Sequence, residues 1–257
     1  MFTQIKKVYV AMIVLIITQI VFGQTRAIIL QTDDGERIVR TVAGVESIRF
    51  DNDACVDIDG NVYSTVTIGT QVWTAENLKV THYRNEDAIT NETTDDAAWK
   101  ALSTEAYCAY NNDASNESDT YGYLYNWYAV SDVRNIAPVG WHVPTDAEWT
   151  ILTNYLGGES VAADKMKETG TNRWETSLNP AVIHTNESGF TALPGGDRYD
   201  GTGEFRKLGL GAYFWSSTSS GAINAWFRSL SYTTSSVNRN YRYYFSGFSV
   251  RLVKDTE

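Results

Sequence analysis

Any chemistry in this chain has to come from three histidines, two cysteines and a large stock of carboxylates. The histidines are His82, His142 and His184. None stands in a His-Glu-x-x-His arrangement, which on a helix would turn two imidazoles toward one zinc ion, and no Gly-x-Ser-x-Gly turn exposes a nucleophilic serine. His142 lies between Trp141 and Val143 with no partner placed by spacing, so it reads as a structural histidine and not a base. The run Asp57-Ile58-Asp59-Gly60-Asn61 has the look of a calcium loop. An EF-hand loop starting at Asp57 needs Gly at its sixth position and Glu at its twelfth, where Val62 and Ile68 stand, so a plain turn is expected. Carboxylates are numerous enough for a glycosidase pair, but nothing in their spacing assembles one. No catalytic residue, metal or cofactor is implied.

Cys55 and Cys108 lack the close spacing of zinc ligands. One disulfide between them is permitted; it would close a loop of about 50 residues and add about 3–4 kcal/mol by restricting the unfolded chain. Two buried thiols are the alternative. The stretch 222–245 carries Trp226, Arg228, Tyr232, Asn238, Arg239, Asn240, Tyr241, Arg242 and Tyr243 among Ser and Thr. Recognition surfaces use this palette, because aromatics give contact area at small entropic cost and short polar side chains adapt. These nine are the candidate ligand-binding residues. The competing reading is that Tyr241, Tyr243 and Phe245, alternating with period two, fill a β-rich core.

The elements that must position these residues follow a strong leader. Lys6 and Lys7 precede an apolar run at 8–22 and then Gly23, the order of a secretory signal peptide cut after Gly23, with residues 1–23 removed. A retained anchor is the alternative, but the run is shorter than the roughly 20 residues a span needs. The expected location is therefore extracytoplasmic: secreted, periplasmic or on the cell surface. Membrane contact is expected only through an uncleaved signal. The formal net charge of −10 becomes still more negative once the two lysines are lost, and such a surface repels phosphate backbones, so nucleic acid is not an expected partner.

Residues 24–53 read as a β-hairpin leader and linker: Ala27-Ile28-Ile29-Leu30-Gln31 and Arg37-Ile38-Val39-Arg40 flank Asp34-Gly35, and Ser47-Ile48-Arg49-Phe50 offers a third short strand. The main domain, 54–257, opens with two hairpins turned at Asp59-Gly60 and Gly69-Thr70. A short helix is expected around Asp95 to Leu102, and Leu124, Trp127 and Tyr128 match a one-faced helix. The clearest helix start is Thr145-Asp146-Ala147-Glu148, a capping box, with Trp149, Leu152, Tyr155 and Leu156 on one face and Gly157-Gly158 as the stop. Asp146 and Glu148 are thus helix-start residues and not a catalytic pair. From Gly189 on, short β-prone runs dominate.

Eight blocks in order carry a family resemblance: Asp57-Ile58-Asp59-Gly60-Asn61-Val62-Tyr63, Ile68-Gly69-Thr70-Gln71-Val72-Trp73, Glu76-Asn77-Leu78, Tyr110-Asn111-Asn112-Asp113, Tyr121-Gly122-Tyr123-Leu124-Tyr125-Asn126-Trp127, residues 140–149, residues 189–196 and Phe214-Trp215-Ser216-Ser217. Over Val56 to Asp255 the chain resembles the Fibrobacter succinogenes major paralogous domain family, found in exported proteins of Bacteroidetes-like bacteria. That family is distantly similar to the formylglycine-generating sulfatase-modifying fold. The resemblance implies an α+β, C-type-lectin-like architecture of short antiparallel strands, two or so helices and long loops. Enzymes of that fold use a cysteine pair in their C-terminal part, and this chain has no Cys after Cys108. The Glu-Pro-Asn, Gln-Pro-Asp and Trp-Asn-Asp motifs of its calcium-dependent lectins are also absent.

Together these readings point to an exported non-catalytic binding or surface-structural module. Its expected partner is an extracellular glycan or protein, met through the C-terminal third. The alternative is an extracellular enzyme acting on polysaccharide or secreted protein, whose mark would be two carboxylates in one deep pocket.

Overall fold

A computed structural model describes the backbone of residues 27–31 and 37–41, together with residues 54–92, 95–113, 120–170 and 172–256. The chain divides into two units, 1–54 and 55–257. In the first, β1 (Ala27–Gln31) pairs antiparallel with β2 (Arg37–Thr41). The third strand considered at 47–50, and the leader at 1–23, lie outside the described residues.

The second unit is mostly β with four short helices among the described residues, an α+β arrangement. Its first hairpins form as the turn residues dictate: β3 (Cys55–Val56) with β4 (Val62–Tyr63), and β5 (Thr65–Ile68) with β6 (Gln71–Thr74). Asp57 ties the first turn: its carboxylate accepts from the amides of Asp59 and Asn61 and from the Tyr63 hydroxyl. Its oxygens are thus spent on the turn. Helix α1 (Asp96–Lys100) is capped by the Asp95 side chain. The apolar spacing at 124–128 splits in two. Leu124 and Tyr125 form β8, paired with β7 (Tyr107–Cys108), and only Trp127–Val130 is helical, as α2, because the Asn126 side chain accepts from the Ala129 amide and starts the helix there.

Helix α3 (Asp146–Tyr155) begins at the full capping box between Thr145 and Glu148. Trp149, Leu152 and Leu156 are buried, whereas Tyr155 is 66% exposed; it turns outward over the Gly69 turn, so it leaves the apolar face assigned to it. Gly157 and Gly158 end the helix with φ of 104° and 101°, backbone that a side chain would strain. Helix α4 (Ala162–Met166) follows.

Two sheets organise the rest. In one, β9 (Trp141–His142) and β6 flank the last strand, β15 (Val253–Lys254), in the order β5-β6-β15-β9. The other runs β11 (Phe205–Leu208), β10 (Gly195–Arg198), β12 (Gly211–Ser219), β13 (Asn224–Ser231), β14 (Val237–Tyr243); it is antiparallel except for the β10–β12 pair. Gly196 lets β11 lie close against β10, since a Cβ there would lie 2.3 Å from the Arg206 carbonyl. Trp149 of α3 stacks on Phe214 of β12 at 5.7 Å, which seats the helix on one face of the second sheet. Trp73, Trp99, Trp149, Trp174 and Trp215 are fully buried, each removing about 150–250 Å² from water.

Two buried arginines lace distant segments together. Arg251 donates to the Asn77 side chain (2.6 Å) and to the carbonyls of Thr74 (2.8 Å), Phe190 (2.6 Å) and Thr191 (2.8 Å). Arg198 donates to the carbonyls of Gly203, Glu92 and Asp95, with its guanidinium 4.4 Å from the Trp99 ring centre. Cys55 and Cys108 are both buried, and no disulfide joins them: Cys55 on β3 and Cys108 on β7 belong to different apolar clusters. The bridge that the cysteine count permits is therefore replaced by burial, which pushes the Cys108 thiol up to about 12.

Candidate ligand-binding faces

The nine residues selected from the sequence do not form one surface, because a strand sends alternate side chains to opposite faces. β14 is the outer strand of its sheet, and every residue from Asn238 to Tyr243 is exposed. The register sets Tyr241 opposite Trp226, Arg239 opposite Arg228 and Tyr243 opposite Asn224 on the face that carries α3. Asn238, Asn240 and Arg242 stand opposite Ser229, Phe227 and Ala225 on the other face. Tyr232 follows the end of β13, half-buried against the cluster that holds Trp149 and Phe214, and joins neither row.

On the α3 face, Asp146 is the organiser. Arg228 is wholly buried and donates to the Asp146 carboxylate (2.7 Å), the Asp146 carbonyl (3.1 Å) and the Thr150 hydroxyl (3.2 Å). It is therefore a strut between β13 and α3 and is not presented to a ligand. Arg239 reaches the same carboxylate from outside through Nε (3.0 Å) and Nη2 (2.9 Å). Burial pushes the Asp146 carboxyl up, but the bonds from Arg239 and Arg228 outweigh it and hold the group below the usual range. The Arg239 guanidinium lies flat on Trp226, 3.4 Å from the ring centre, and Tyr241 meets the same indole edge-on at 5.7 Å. Tyr243 stacks with Phe245 at 5.3 Å, the rings 4° from parallel. Tyr241 and Tyr243 remain 53% and 43% exposed. The result is a row of outward aromatic and cationic groups whose orientation is fixed from beneath.

The opposite face holds a different chemistry. Asp197 of β10 and Asp200 just beyond it are buried, and the half-exposed Arg206 and Arg242 lie over them. Arg206 bonds one Asp197 oxygen at 2.8 Å and lies 3.3 Å from the Tyr199 ring centre, while Arg242 stands 3.9 Å from Asp200. Burial raises the Asp197 pKa, partly offset by Arg206, and the nearby Asp200 charge adds to the rise.

Each histidine is engaged within the fold. His142 has both ring nitrogens bonded to carboxylates, Nδ1 with Asp255 (2.5 Å) and Nε2 with Glu148 (2.8 Å). Burial would raise Glu148, yet bonds from His142 and Thr145 bring it down to about 2. The same Glu148 bond, against burial and with help from Asp255, raises His142. His82 pairs with Asp59 at 2.6 Å, and His184 meets the Trp174 ring edge-on. A shallow depression of about 280 Å³ spans part of the 170–184 loop, and its titratable lining residues are Glu175 and His184. Among the described residues no group of three His, Cys, Asp or Glu side chains could hold a metal ion, and no helix is long and apolar enough to cross a membrane.

Sequence reasoning singled out Arg239, Tyr241 and Arg242 but missed the residues that hold or oppose them: Asp146 as a double arginine acceptor, and Asp197, Asp200 and Arg206. No local signal marked them: β10 reads Gly-Gly-Asp-Arg, without β-prone alternation, and the cross-strand pairing of Asp197 with Arg206 follows only from the register. A family model described as the Fibrobacter succinogenes major domain matches residues 66–254. No curated protein and no solved structure matches the chain.

Proposed function

The chain belongs to the Fibrobacter succinogenes major domain family, and we propose that it is an exported, non-catalytic binding module. In this reading a C-type-lectin-like scaffold holds an extracellular glycan or protein against the α3-side face of β14. The supporting observation is the preset row Arg239, Tyr241 and Tyr243, clamped through Asp146 and Trp226. Side chains ordered before the ligand arrives lose little entropy on contact, so a modest exposed patch can bind specifically.

Arrays of extracellular glycans and surface proteins probed with the purified protein test the proposal and separate the two ligand classes. Tyr241→Ala is expected to weaken the bound class at least about ten-fold, the loss of one well-used aromatic contact. An array signal that Tyr241→Ala and Arg239→Ala both leave intact sinks it. The alternative, an extracellular enzyme, is favoured by one observation: two buried acids, Asp197 and Asp200, with the Asp197 pKa raised. Hydrolysis of chromogenic glycosides by the same preparation decides in its favour.

A further inference from the structure

Asp197 and Asp200 are 2% and 5% exposed, yet one oxygen of each, Asp197 Oδ1 and Asp200 Oδ2, meets no hydrogen-bond donor among the described residues. The Nε of Arg206, in the same cluster, also lacks an acceptor. Three unpaired polar atoms gathered at one place are unusual, because a buried carboxylate oxygen without a donor costs stability that folding alone gives no reason to accept. Elsewhere buried guanidinium groups are better served: those of Arg251 and Arg198 each meet several acceptors, and Arg228 leaves only its Nε unpaired. Stability forgone at a cluster is a mark of a site kept for binding.

The chemistry of the cluster narrows the ligand. Two acceptors ask for two hydroxyl donors, and the guanidinium groups of Arg206 and Arg242 supply donors to oxygen acceptors beside them. A metal ion would meet two arginines and only two carboxylates. An organic cation would be repelled by the same arginines, and an anion by the acids. A neutral molecule carrying adjacent hydroxyls satisfies both halves, each hydroxyl giving its proton to an aspartate and taking a bond from an arginine. Above the acids stands Arg242, 45% exposed, 3.9 Å from Asp200 and 5.8 Å from the Tyr199 ring centre, beyond hydrogen-bond reach of the carboxylate.

We propose that Asp197, Asp200, Arg206 and Arg242 form a binding site for the vicinal hydroxyls of a neutral sugar, with Arg242 as its movable cover. The site lies on the face of β14 opposite Tyr241 and does not depend on the aromatic row.

The probes are methyl β-D-glucoside, methyl β-D-galactoside and methyl α-D-mannoside, followed by saturation-transfer NMR and titration calorimetry on the purified protein. At least one is expected to bind. Asp200→Asn and Asp197→Asn should each weaken that binding at least about ten-fold, as loss of a charged hydrogen-bond acceptor does, while Leu178→Ala, at a side chain 99% exposed, leaves it unchanged. Removing an unpaired buried charge should also raise the Tm of Asp200→Asn by about 2–4 °C, a shift expected for a domain of this size. That rise confirms folding of the variant and is not expected of an acid with a structural role. Failure of all three glycosides to bind, equal binding by Asp200→Asn, or a lowered Tm for that variant overturns the proposal. Release of nitrophenol from the matching p-nitrophenyl glycosides overturns it in favour of catalysis.

Discussion

Arg251 and Arg239 show what one side chain does in two regions of this molecule. Arg251 lies wholly inside, its donors distributed over carbonyls and an amide from residues 74, 77, 190 and 191, and burial brings its pKa down to about 9. Arg239 lies on the outer strand, 37% of its side chain exposed, bonded to one carboxylate and stacked on one indole. The inner arginine is consumed by the fold, while the outer one is oriented by the fold and still faces out. Arg228, its cross-strand neighbour, belongs with the inner group although it sits in the recognition-like stretch. A guanidinium is structural where it is buried with its donors taken by the fold, and position in the sequence does not tell the two apart.

Mutations can break this contrast, and their expected effects descend in size. Arg251→Met removes the shared donor of four acceptors and should cost about 3–5 kcal/mol, the range for breaking a buried charged hub; equilibrium urea unfolding measures it, and a loss below 1 kcal/mol would dissolve the distinction. Glu148→Gln, at the other end of the β15–α3 junction, should cost about 1 kcal/mol as a damaged helix cap does. Its pH dependence is specific. Glu148 titrates at about 2 in the fold against 4.5 ordinarily, so its contribution is present above 4.5 and is lost as pH falls through 2. His142 is shifted upward from 6.5, so its contribution is full below 6.5 and fades as pH rises through the folded value. The stability gap between wild type and Glu148→Gln should therefore be widest between pH 4.5 and 6.5, and a series of thermal melts across pH 2–9 shows whether it is. Arg239→Ala should cost least, under about 1 kcal/mol, because exposed ion pairs contribute little. Its effect should fall on ligand binding instead, and a large loss of stability would move Arg239 into the inner class.

Local signals were legible where the chain carries them within a few residues. The capping box at Thr145 and Glu148, the hairpin turns at Asp59-Gly60 and Gly69-Thr70, and the short helix after Asp95 all depend on neighbours in sequence, and all stand as the residues indicate. The split at Asn126 was hidden because apolar spacing cannot separate a two-residue strand from the helix after it. The recognition stretch was found as a composition, but its division into two faces required the register of β13 with β14. Arg228 was placed with the ligand contacts because its partner, Asp146, stands 82 residues upstream. The acid pair opposite Arg242 was invisible for the same reason: no local pattern announces that Asp197 and Asp200 lie buried beneath two arginines.

The position of β15 bears on how the protein comes into being. Val253 bridges Trp73 and His142, so the final strand is an interior member of its sheet and not an edge added at the finish. A polypeptide leaving the ribosome amino end first holds two unjoined halves of that sheet until residue 254 is released, and Arg251 arrives in the same moment. Closure of the domain is thereby deferred until β15 has emerged, and a nascent chain stalled a few residues before Val253 has its Trp-rich interior without the strand that seals it.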